Sequence, residues 1–323
     1  MNDYFVELFD SRYNVPMTYT HTYRGVVWID LERPTDDEVT SLVKRYGLHP
    51  LIGEELKMTT SLAKVEFYDE YFLAVLTLPV RERKGEGNEI IERQVDFVVG
   101  KNFLITCRTE TIEQLEYFGK IFEANTILNK DEKIEHAGFL FYYMVKKIYS
   151  GMIEDLENIK DSITGAEKHI FKGDERDMVE VLSDLSRELI DFKQTARAHR
   201  DIWEKMVENV DKSIFGGSFS SYMRDIRDQF NIIHEFIGNA RELLNDLRET
   251  NDSLLNTKQN DIIKLLTMVT FIGYPALLIA AIFTIPAANI PIIGNSSDWT
   301  ILMIITLIIT GSVWWFLKRK SWL

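Results

Sequence analysis

The sequence predicts a cytoplasmic α/β domain, then a stalk of long α-helices, and a C-terminal transmembrane hairpin of two helices. Three patterns support this prediction. Short β-like runs fill the first third of the chain, the middle contains no proline, and the last 60 residues hold two uncharged apolar spans. The predicted divisions are residues 1–133 for the α/β domain, 134–260 for the helical stalk and 261–323 for the hairpin.

Four runs within residues 1–133 have the composition of β-strands. They are residues 26–31, 72–78, 95–99 and 102–106. A capping box, with Thr35 at the N-cap and Glu38 three residues later, predicts a helix directly after the first run. Glycines at 85 and 87 predict a hairpin tip, and the pair 100–101 predicts a tight turn. Together these features predict a mixed sheet.

The proline distribution predicts long helices after the α/β domain. Four of the seven prolines lie at or before Pro79 and the other three at or after Pro275. A proline-free interval of this length allows uninterrupted helices. Glycines at 165, 173 and 216–217 are the expected interruptions, so we predict three helices, of which the last is the longest.

The last of these helices carries an apolar stripe with steps of three and four residues. The stripe comprises Phe219, Met223, Ile226, Phe230, Ile233, Ile237, Ala240, Leu244 and Leu247. The same spacing continues through Asn251, Leu254, Lys258 and Ile262. Such a stripe predicts packing against a partner helix, or against copies of itself as in a coiled coil.

Residues 265–283 and 299–317 form two spans of 19 uncharged residues each. At about 1.5 Å per residue, each span can cross a hydrocarbon core of roughly 30 Å. Basic residues flank the hairpin at 264 and 318–320, whereas the loop within it has neither Lys nor Arg. The positive-inside rule therefore predicts that both termini lie in the cytoplasm, and we expect an integral protein of the cell (inner) membrane.

Charge and motif content exclude several functional classes. Residues 1–263 carry 33 Lys and Arg against 49 Asp and Glu, a net charge of −16. This balance disfavours nucleic acid as a partner and is compatible with attraction of cations. The single cysteine, Cys107, excludes an internal disulfide. Because no nucleophile motif, HExxH motif or phosphate-binding glycine loop is present, we expect no enzyme activity and no obligatory cofactor.

Two transmembrane helices cannot enclose a conduit, so the hairpin is either an anchor or part of an assembly around an axis. One face of the first span collects polar side chains at steps of three and four residues. Asn260, Thr267, Thr270, Tyr274 and Thr284 share this face. Hydroxyl-bearing stripes also serve helix packing in lipid, so a pore face and a packing face are both compatible with the pattern. Pro275 predicts a kink in mid-membrane.

Several motifs resemble the CorA-type divalent-cation transporters. They are the run NDIIKLLT at 260–267 followed by Pro275, the terminal KRKSWL, the run WIDL at 28–31 with its following Pro-Thr and Glu, and YMRD at 222–225. The resemblance extends over the whole chain. It implies a homopentameric funnel in the lipid bilayer, with the first transmembrane helix lining the pore and the second forming an outer ring.

This resemblance assigns roles to residues of the first span. Asn260 corresponds to the polar ring at the cytoplasmic end of the pore, and Thr267, Thr270 and Thr284, which share its face by spacing, would extend the polar lining. Ile263, Leu266 and Tyr274 correspond to an apolar gate that blocks conduction by excluding water. The alternatives are a surface amide for Asn260 and interhelical packing for the gate residues.

The resemblance also implies a regulatory divalent ion between subunits. Asp225 matches a carboxylate that helps to bind such an ion, and Asp228 lies one turn further along the helix. Carboxylate oxygens from two chains suit a hard cation such as Mg2+. Surface ion pairs with the adjacent Arg224 and Arg227 are the alternative. The partner acid on the α/β domain is open, with Glu86, Glu89 and Glu92 as candidates.

One motif of the family is missing. CorA-type proteins end the first transmembrane helix with Tyr-Gly-Met-Asn, where the Asn amides contact the hydrated ion at the pore mouth. The matching residues here are Phe-Thr-Ile-Pro at 283–286. Pro286 has no polar side chain, which leaves Asn289 and Asp298 as the candidate mouth residues. We therefore expect weak discrimination between Mg2+ and other cations.

The predicted function is a channel or transporter for divalent metal cations such as Mg2+, Co2+ or Zn2+. The electrochemical gradient would drive transport, and cytoplasmic divalent ions would gate it. The alternative is a non-conducting or weakly selective CorA-like membrane protein with a regulatory or binding role. A coiled-coil membrane tether is the third hypothesis, which the α/β domain and the whole-chain resemblance make the weakest.

Overall fold

The computed structural model describes residues 17–23, 25–58, 63–84, 87–128, 136–209, 215–284 and 298–319. The chain forms two compact units. The first comprises residues 1–172 and 177–247, and the second residues 173–176 and 248–323. The boundaries drawn above from the sequence, at 133 and at 260, stay predictions.

A six-stranded mixed sheet lies in the first unit. Its strand order is β1-β2-β6-β5-β4-β3, in which only β2 and β6 are parallel neighbours. The strands are β1 (Met17–Tyr23), β2 (Val26–Glu32), β3 (Lys64–Phe67), β4 (Tyr71–Lys84), β5 (Gly87–Gly100) and β6 (Phe103–Arg108). The four predicted runs lie in β2, β4, β5 and β6, and the mixed sheet is confirmed. Strands β1 and β3 were not predicted.

Helices cover both faces of the sheet. Helix α1 (Asp36–Tyr46) begins at the predicted capping box, in which the Thr35 amide donates to Glu38 Oε2 at 2.7 Å. Together with α2 (Pro50–Lys57), it packs on alternate strand residues of one face, among them Leu31, Leu73, Val75, Val98 and Ile105. The other face packs against α3 (Glu113–Leu128) and α4 (Ala137–Ile170). There, Phe141 contacts Phe72 and Phe97 at centroid distances of 5.2 Å each.

The WIDL motif contributes to a buried polar network between β2 and β6. The Arg108 guanidinium forms ion pairs of 2.9 Å with Asp30 and 3.1 Å with Glu32. The Trp28 indole donates to the Thr106 hydroxyl at 3.0 Å, and that hydroxyl donates to Asp30 Oδ1 at 2.6 Å. All five side chains are buried. The motif therefore lies inside the sheet, where its carboxylate has both the counter-ion and the hydrogen bonds that a buried charge needs.

Besides a short 3-10 helix at Gly217–Phe219, four α-helices rather than three lie between residues 134 and 283 in the described part of the chain. They are α4, α5 (Glu175–Ala196), α6 (His199–Asn209) and α7 (Ser220–Phe283). Gly165 does not interrupt α4, because a glycine inside a well-packed helix costs only about 1 kcal/mol. The break between α5 and α6 at 197–198 was not predicted. Gly173 and Gly216 do lie between helices, with φ angles of 107° and 77°.

All nine residues of the predicted stripe, from Phe219 directly before α7 to Leu247 within it, are buried. Their neighbours include side chains of the same chain. Phe230 contacts Tyr149 of α4 at 6.0 Å and His199 of α6 at 5.8 Å between ring centroids. The part of the stripe in the first unit is therefore covered by the chain's own helices, as the prediction of a partner helix requires.

Among the described residues, two helices are long and apolar enough to cross a membrane: α7, whose residues from 248 onward belong to the second unit, and α8 (Asp298–Arg319). The rest of the chain buries 0% of the most apolar stretch of α7 and 6% of that of α8. Leaving such surface in water costs about 25 cal/mol per Å², which favours a lipid environment. At the end of α8, Lys318 lies 5.1 Å from the Trp314 ring and Arg319 5.4 Å from the Trp315 ring. Basic and indole groups together are typical of a membrane–water interface.

Candidate functional site

The threonines of the predicted polar lining bond to the backbone of α7. Thr267 Oγ1 donates to the Ile263 carbonyl at 2.7 Å, and Thr270 Oγ1 donates to the Leu266 carbonyl at 2.9 Å. Thr284 Oγ1 donates to the Ala281 carbonyl at 2.8 Å. Each hydroxyl hydrogen is thereby engaged, and the oxygen presents its lone pairs outward as an acceptor. An acceptor suits a cation or the hydrogen atoms of its hydration water.

The predicted gate residues are uncovered in the single chain. Ile263, Leu266 and Tyr274 are 52%, 61% and 62% exposed, and Asn260 is exposed as well. At 100° per residue, Thr270 lies about 40° from both Leu266 and Tyr274 around the helix axis. The Thr270 hydroxyl therefore lies between the Leu266 and Tyr274 side chains on one face. The single chain provides no cover for that face, and lipid or a neighbouring helix would cover it in a membrane. The roles of these residues as ring and gate stay predictions.

The proposed pore mouth lies mostly outside the described residues. Helix α7 ends at Phe283, where the resemblance places the end of the first transmembrane helix. Asn289 and Pro286 are outside the described residues. Asp298 is the first residue of α8, but its side chain is also outside the described part. The side chains of both predicted mouth residues thus lie outside the described part, whereas that of Thr284, at the end of the polar lining, is described.

Asp225 is held by three donors of its own chain. The Tyr142 hydroxyl donates to Asp225 Oδ2 at 2.7 Å, the Lys146 ammonium at 3.2 Å and the Gln229 amide at 3.3 Å. The Tyr142 hydrogen bond, followed by the nearby ammonium, holds the Asp225 pKa below its usual range although partial burial opposes this. The carboxylate is therefore ionised at neutral pH, with a lysine already beside it.

Asp228 has a different partner. Its carboxylate forms an ion pair of 2.9 Å with Arg227 and is largely exposed. The structure does not bring Asp225 and Asp228 together on one site, and among the described residues no group of three or more His, Cys, Asp or Glu side chains could hold a metal ion. The ion pair between Asp228 and Arg227 is the surface contact that the alternative to a metal site predicts. A metal site here needs ligands from a second chain and stays a prediction.

Asn251 and Lys258, the two polar residues that continue the apolar stripe, have partners that the sequence pattern did not indicate. In the structure, both bind the turn that joins α4 to α5. The Asn251 amide donates to the Glu175 carbonyl, and Lys258 contacts Gly173 and Glu175. The signal that could have revealed this arrangement was the presence of an amide and an ammonium at positions otherwise reserved for apolar side chains.

Comparison with known proteins gives a consistent result. Residues 23–319 match the family described as CorA-like Mg2+ transporter protein. The cobalt/magnesium transport protein CorA of Thermotoga maritima is 22% identical over 300 residues, which cover 92% of this chain and 83% of the relative. Its counterpart from Methanocaldococcus jannaschii is also 22% identical, over 301 residues and 92% of each chain.

Solved structures show the same fold. The complete structure of the CorA magnesium transporter from Methanocaldococcus jannaschii matches with a TM-score of 0.78 at 20% identity, covering 93% of this chain and 92% of that one. The full-length CmaX protein matches with a TM-score of 0.70 at 16% identity, covering 91% and 88%. The predicted α/β domain, long helices and C-terminal apolar hairpin are thus confirmed. Because the family match extends from residue 23 to residue 319, this chain belongs to the CorA-like Mg2+ transporter protein family.

Proposed function

We propose that this chain is the subunit of a homopentameric membrane channel for divalent cations, with Mg2+ and Co2+ as the first candidates. Membership of the family and the names of the relatives, which are cobalt/magnesium transport proteins, support this function. The observation that carries the proposal is α7. It runs as one helix from Ser220 to Phe283 and joins an acidic, water-soluble part to an apolar span with a polar face.

In the proposed pore, five copies of α7 present the face of Asn260, Thr267, Thr270 and Thr284 to the axis. Mg2+ dehydrates reluctantly, so rings of amide and hydroxyl oxygens would bind its water shell rather than the bare ion. The engaged threonine hydroxyls support this role, because their outward lone pairs can accept hydrogen bonds from that shell. A conduit of this kind needs no catalytic group.

Ile263, Leu266 and Tyr274 would form the gate, since rings of apolar side chains exclude water from a narrow pore. The membrane potential would drive the ion inward. For a divalent cation, the free energy of inward movement falls by about 4.6 kcal/mol per 100 mV of potential, negative inside. The basic end of α8 beside Trp314 and Trp315 supports an inner-membrane location with both termini in the cytoplasm.

Regulation would depend on Asp225 and Asp228 at subunit boundaries. A divalent ion bound between two chains would neutralise their carboxylates, and its removal would leave like charges opposed. Asp225 is ionised at neutral pH, which supports cation binding, but Lys146 must move away or share the site.

The test is ion uptake into proteoliposomes under an imposed membrane potential, measured separately for Mg2+, Co2+, Zn2+ and K+. We expect uptake of divalent cations by the wild type and a several-fold loss in Asn260→Ala. Protein-free vesicles and the exposed-residue variant Arg248→Met serve as controls. If no ion enters although the protein is folded and responds to Mg2+, the alternative of a non-conducting regulatory or binding protein holds.

Selectivity is tested in the same assay with Asn289→Ala. Because Pro286 replaces the Asn amide of the family motif, we expect uptake rates for Mg2+, Co2+ and Zn2+ to differ by less than about tenfold. Loss of the Asn289 amide would narrow the differences further. Strong preference for Mg2+ that survives Asn289→Ala would mean that selectivity is set elsewhere in the chain.

A further inference from the structure

The turn between α4 and α5 is bound to α7 shortly before the first membrane span. Residues 173–176 belong to the same compact unit as residues 248–323. The Lys258 ammonium donates to the Gly173 carbonyl at 3.0 Å and forms an ion pair with the Glu175 carboxylate. The Asn251 amide donates to the Glu175 carbonyl at 3.0 Å. We call these four residues the clamp.

The clamp accounts for two polar residues on an apolar stripe. Asn251 and Lys258 are seven residues apart, or two helical turns, and therefore share one face of α7. Asn251 is only 1% exposed. Burying an amide is unfavourable unless it is hydrogen-bonded, so a leucine would suit this position better if helix packing were its only role. The hydrogen bond to the Glu175 carbonyl explains why an amide occupies this buried position.

The shape of the turn fits the lysine. Gly173 has a φ angle of 107°, which side chains other than hydrogen rarely allow, and a Cβ atom there would lie 3.6 Å from Lys258 Nζ. The Glu175 residue is only 4% exposed. Its hydrogen bond with Lys258 holds the Glu175 pKa below the usual range, so the pair remains charged at neutral pH.

The clamp lies on the side of α7 opposite Asn260. Asn260 follows Lys258 by two residues, which corresponds to about 200° around the helix axis. One side of this helical turn is therefore bound to the α4–α5 turn, while the amide of Asn260 projects from the other side. Asn260 itself is exposed in the single chain.

We propose that the clamp positions the Asn260 ring, with Lys258 and Glu175 as positioning residues for ion entry. The inference rests on the proposed function, in which five Asn260 amides contact a hydrated cation. Such a ring binds the ion well only if every amide is held at the same distance from the axis. The clamp supplies that restraint from the outer side of each helix, directly before the ring.

The first experiment measures the restraint itself and does not depend on transport. Hydrogen–deuterium exchange of residues 250–262 is compared in the full-length wild type, Lys258→Met and Arg248→Met. Lys258→Met removes the ammonium but keeps an apolar stem, and Arg248→Met removes a charge from an exposed site of the same helix. We expect at least fivefold faster exchange in Lys258→Met alone. Equal exchange in all three proteins overturns the proposal.

The second experiment asks whether the clamp acts through Asn260. In Mg2+ uptake by proteoliposomes, Lys258→Met should raise the apparent KM at least threefold and leave the maximal rate within twofold. In the Asn260→Ala background, the same substitution should have no further effect on KM. An equal rise in both backgrounds overturns the positioning role. If Asn260→Ala does not alter uptake at all, the ring and the proposed function fail, whereas the exchange result still reports on the clamp.

Discussion

The hydroxyl of Tyr142 on α4 donates a 2.7 Å hydrogen bond to Asp225 on α7, and Lys146 donates to the same tyrosine oxygen at 3.0 Å. The carboxylate proposed to bind a regulatory cation thus already has a cation of its own chain beside it. A divalent ion would have to compete with this ammonium. Because of this competition, substitution of Lys146 and substitution of Asp225 should change the affinity for a divalent ion in opposite directions.

Lys146→Met should therefore lower the Mg2+ concentration needed to protect the cytoplasmic part from protease, whereas Asp225→Asn should raise it at least tenfold. The first variant removes a competing cation, and the second removes the ligand charge. Limited proteolysis over a Mg2+ titration measures both, with Asp246→Asn, an exposed carboxylate on the same helix, as control. Unchanged protection in Asp225→Asn would favour a simple surface pair.

Tyr274→Cys should cross-link subunits up to a pentamer. The native Cys107 will not interfere, because it is buried, donates to the Leu56 carbonyl and has a thiol pKa that burial raises. If α7 lines the axis, five thiols lie close together. The protein is treated with a short bifunctional thiol reagent, and denaturing electrophoresis then shows the cross-linked species from dimer to pentamer. Leu307→Cys on α8, also exposed in the single chain, is the comparison. More efficient cross-linking at residue 307 than at residue 274 would place Tyr274 against lipid.

Thr270→Val should reduce Mg2+ uptake by about five- to tenfold, which corresponds to about 1–1.4 kcal/mol in the barrier. The change keeps the side-chain volume but removes the one acceptor oxygen between Leu266 and Tyr274, so the apolar gate becomes longer. Thr306→Val is the matched control, because Thr306 makes the same kind of bond, to the Leu302 carbonyl at 2.8 Å, on α8. Equal losses in the two variants would point to helix packing.

The buried carboxyl group of Asp96 on β5 should make the stability of the protein depend on pH. Burial raises its pKa to about 7, with Gln94 bonded at 2.7 Å and Glu55 and Lys64 nearby. The folded state therefore holds this proton more tightly than the unfolded state. Its contribution to stability is complete below about pH 4 and is lost as pH rises to about 7.

Asp96→Asn should abolish the loss of stability between about pH 4 and pH 7. Relative to the wild type, it should raise the free energy of unfolding by about 2–4 kcal/mol at pH 8 and change it little at pH 4. Thermal unfolding of the full-length protein at several pH values measures this shift. Asp69→Asn, at an exposed turn residue, is the control and should behave like the wild type. A stability profile of Asp96→Asn that parallels the wild type would contradict the assignment.

Regular features were predictable from the sequence because their cause is local. The stripe on α7 repeats every three or four residues and is buried throughout the first unit. The membrane spans are continuous runs without charge. Strand β1 escaped prediction because its sequence, MTYTHTY, is mostly polar and largely exposed, and β3 has only four residues.

Long-range contacts were not predictable in the same way. The bond between Asn251 and Glu175 joins residues 76 positions apart, and no periodic pattern links them. The partner of Asp225 is 83 positions away. Similarly, the break between α5 and α6 has neither glycine nor proline to mark it. The shared polar face of α7 followed from spacing and the candidate roles of its residues from the family resemblance, but the groups that hold these residues followed from neither.

Pro275 within α7 has an energetic consequence for the middle of the membrane. Proline has no amide hydrogen, so the carbonyl of Phe271, four residues earlier, loses its usual helical donor. In hydrocarbon, an unbonded carbonyl would cost several kcal/mol for each chain. Water in the proposed pore or a donor from an adjacent helix could supply the missing bond. In a pentamer, these five carbonyls would form a layer of main-chain oxygens close to Tyr274, and each of them needs a hydrogen-bond donor.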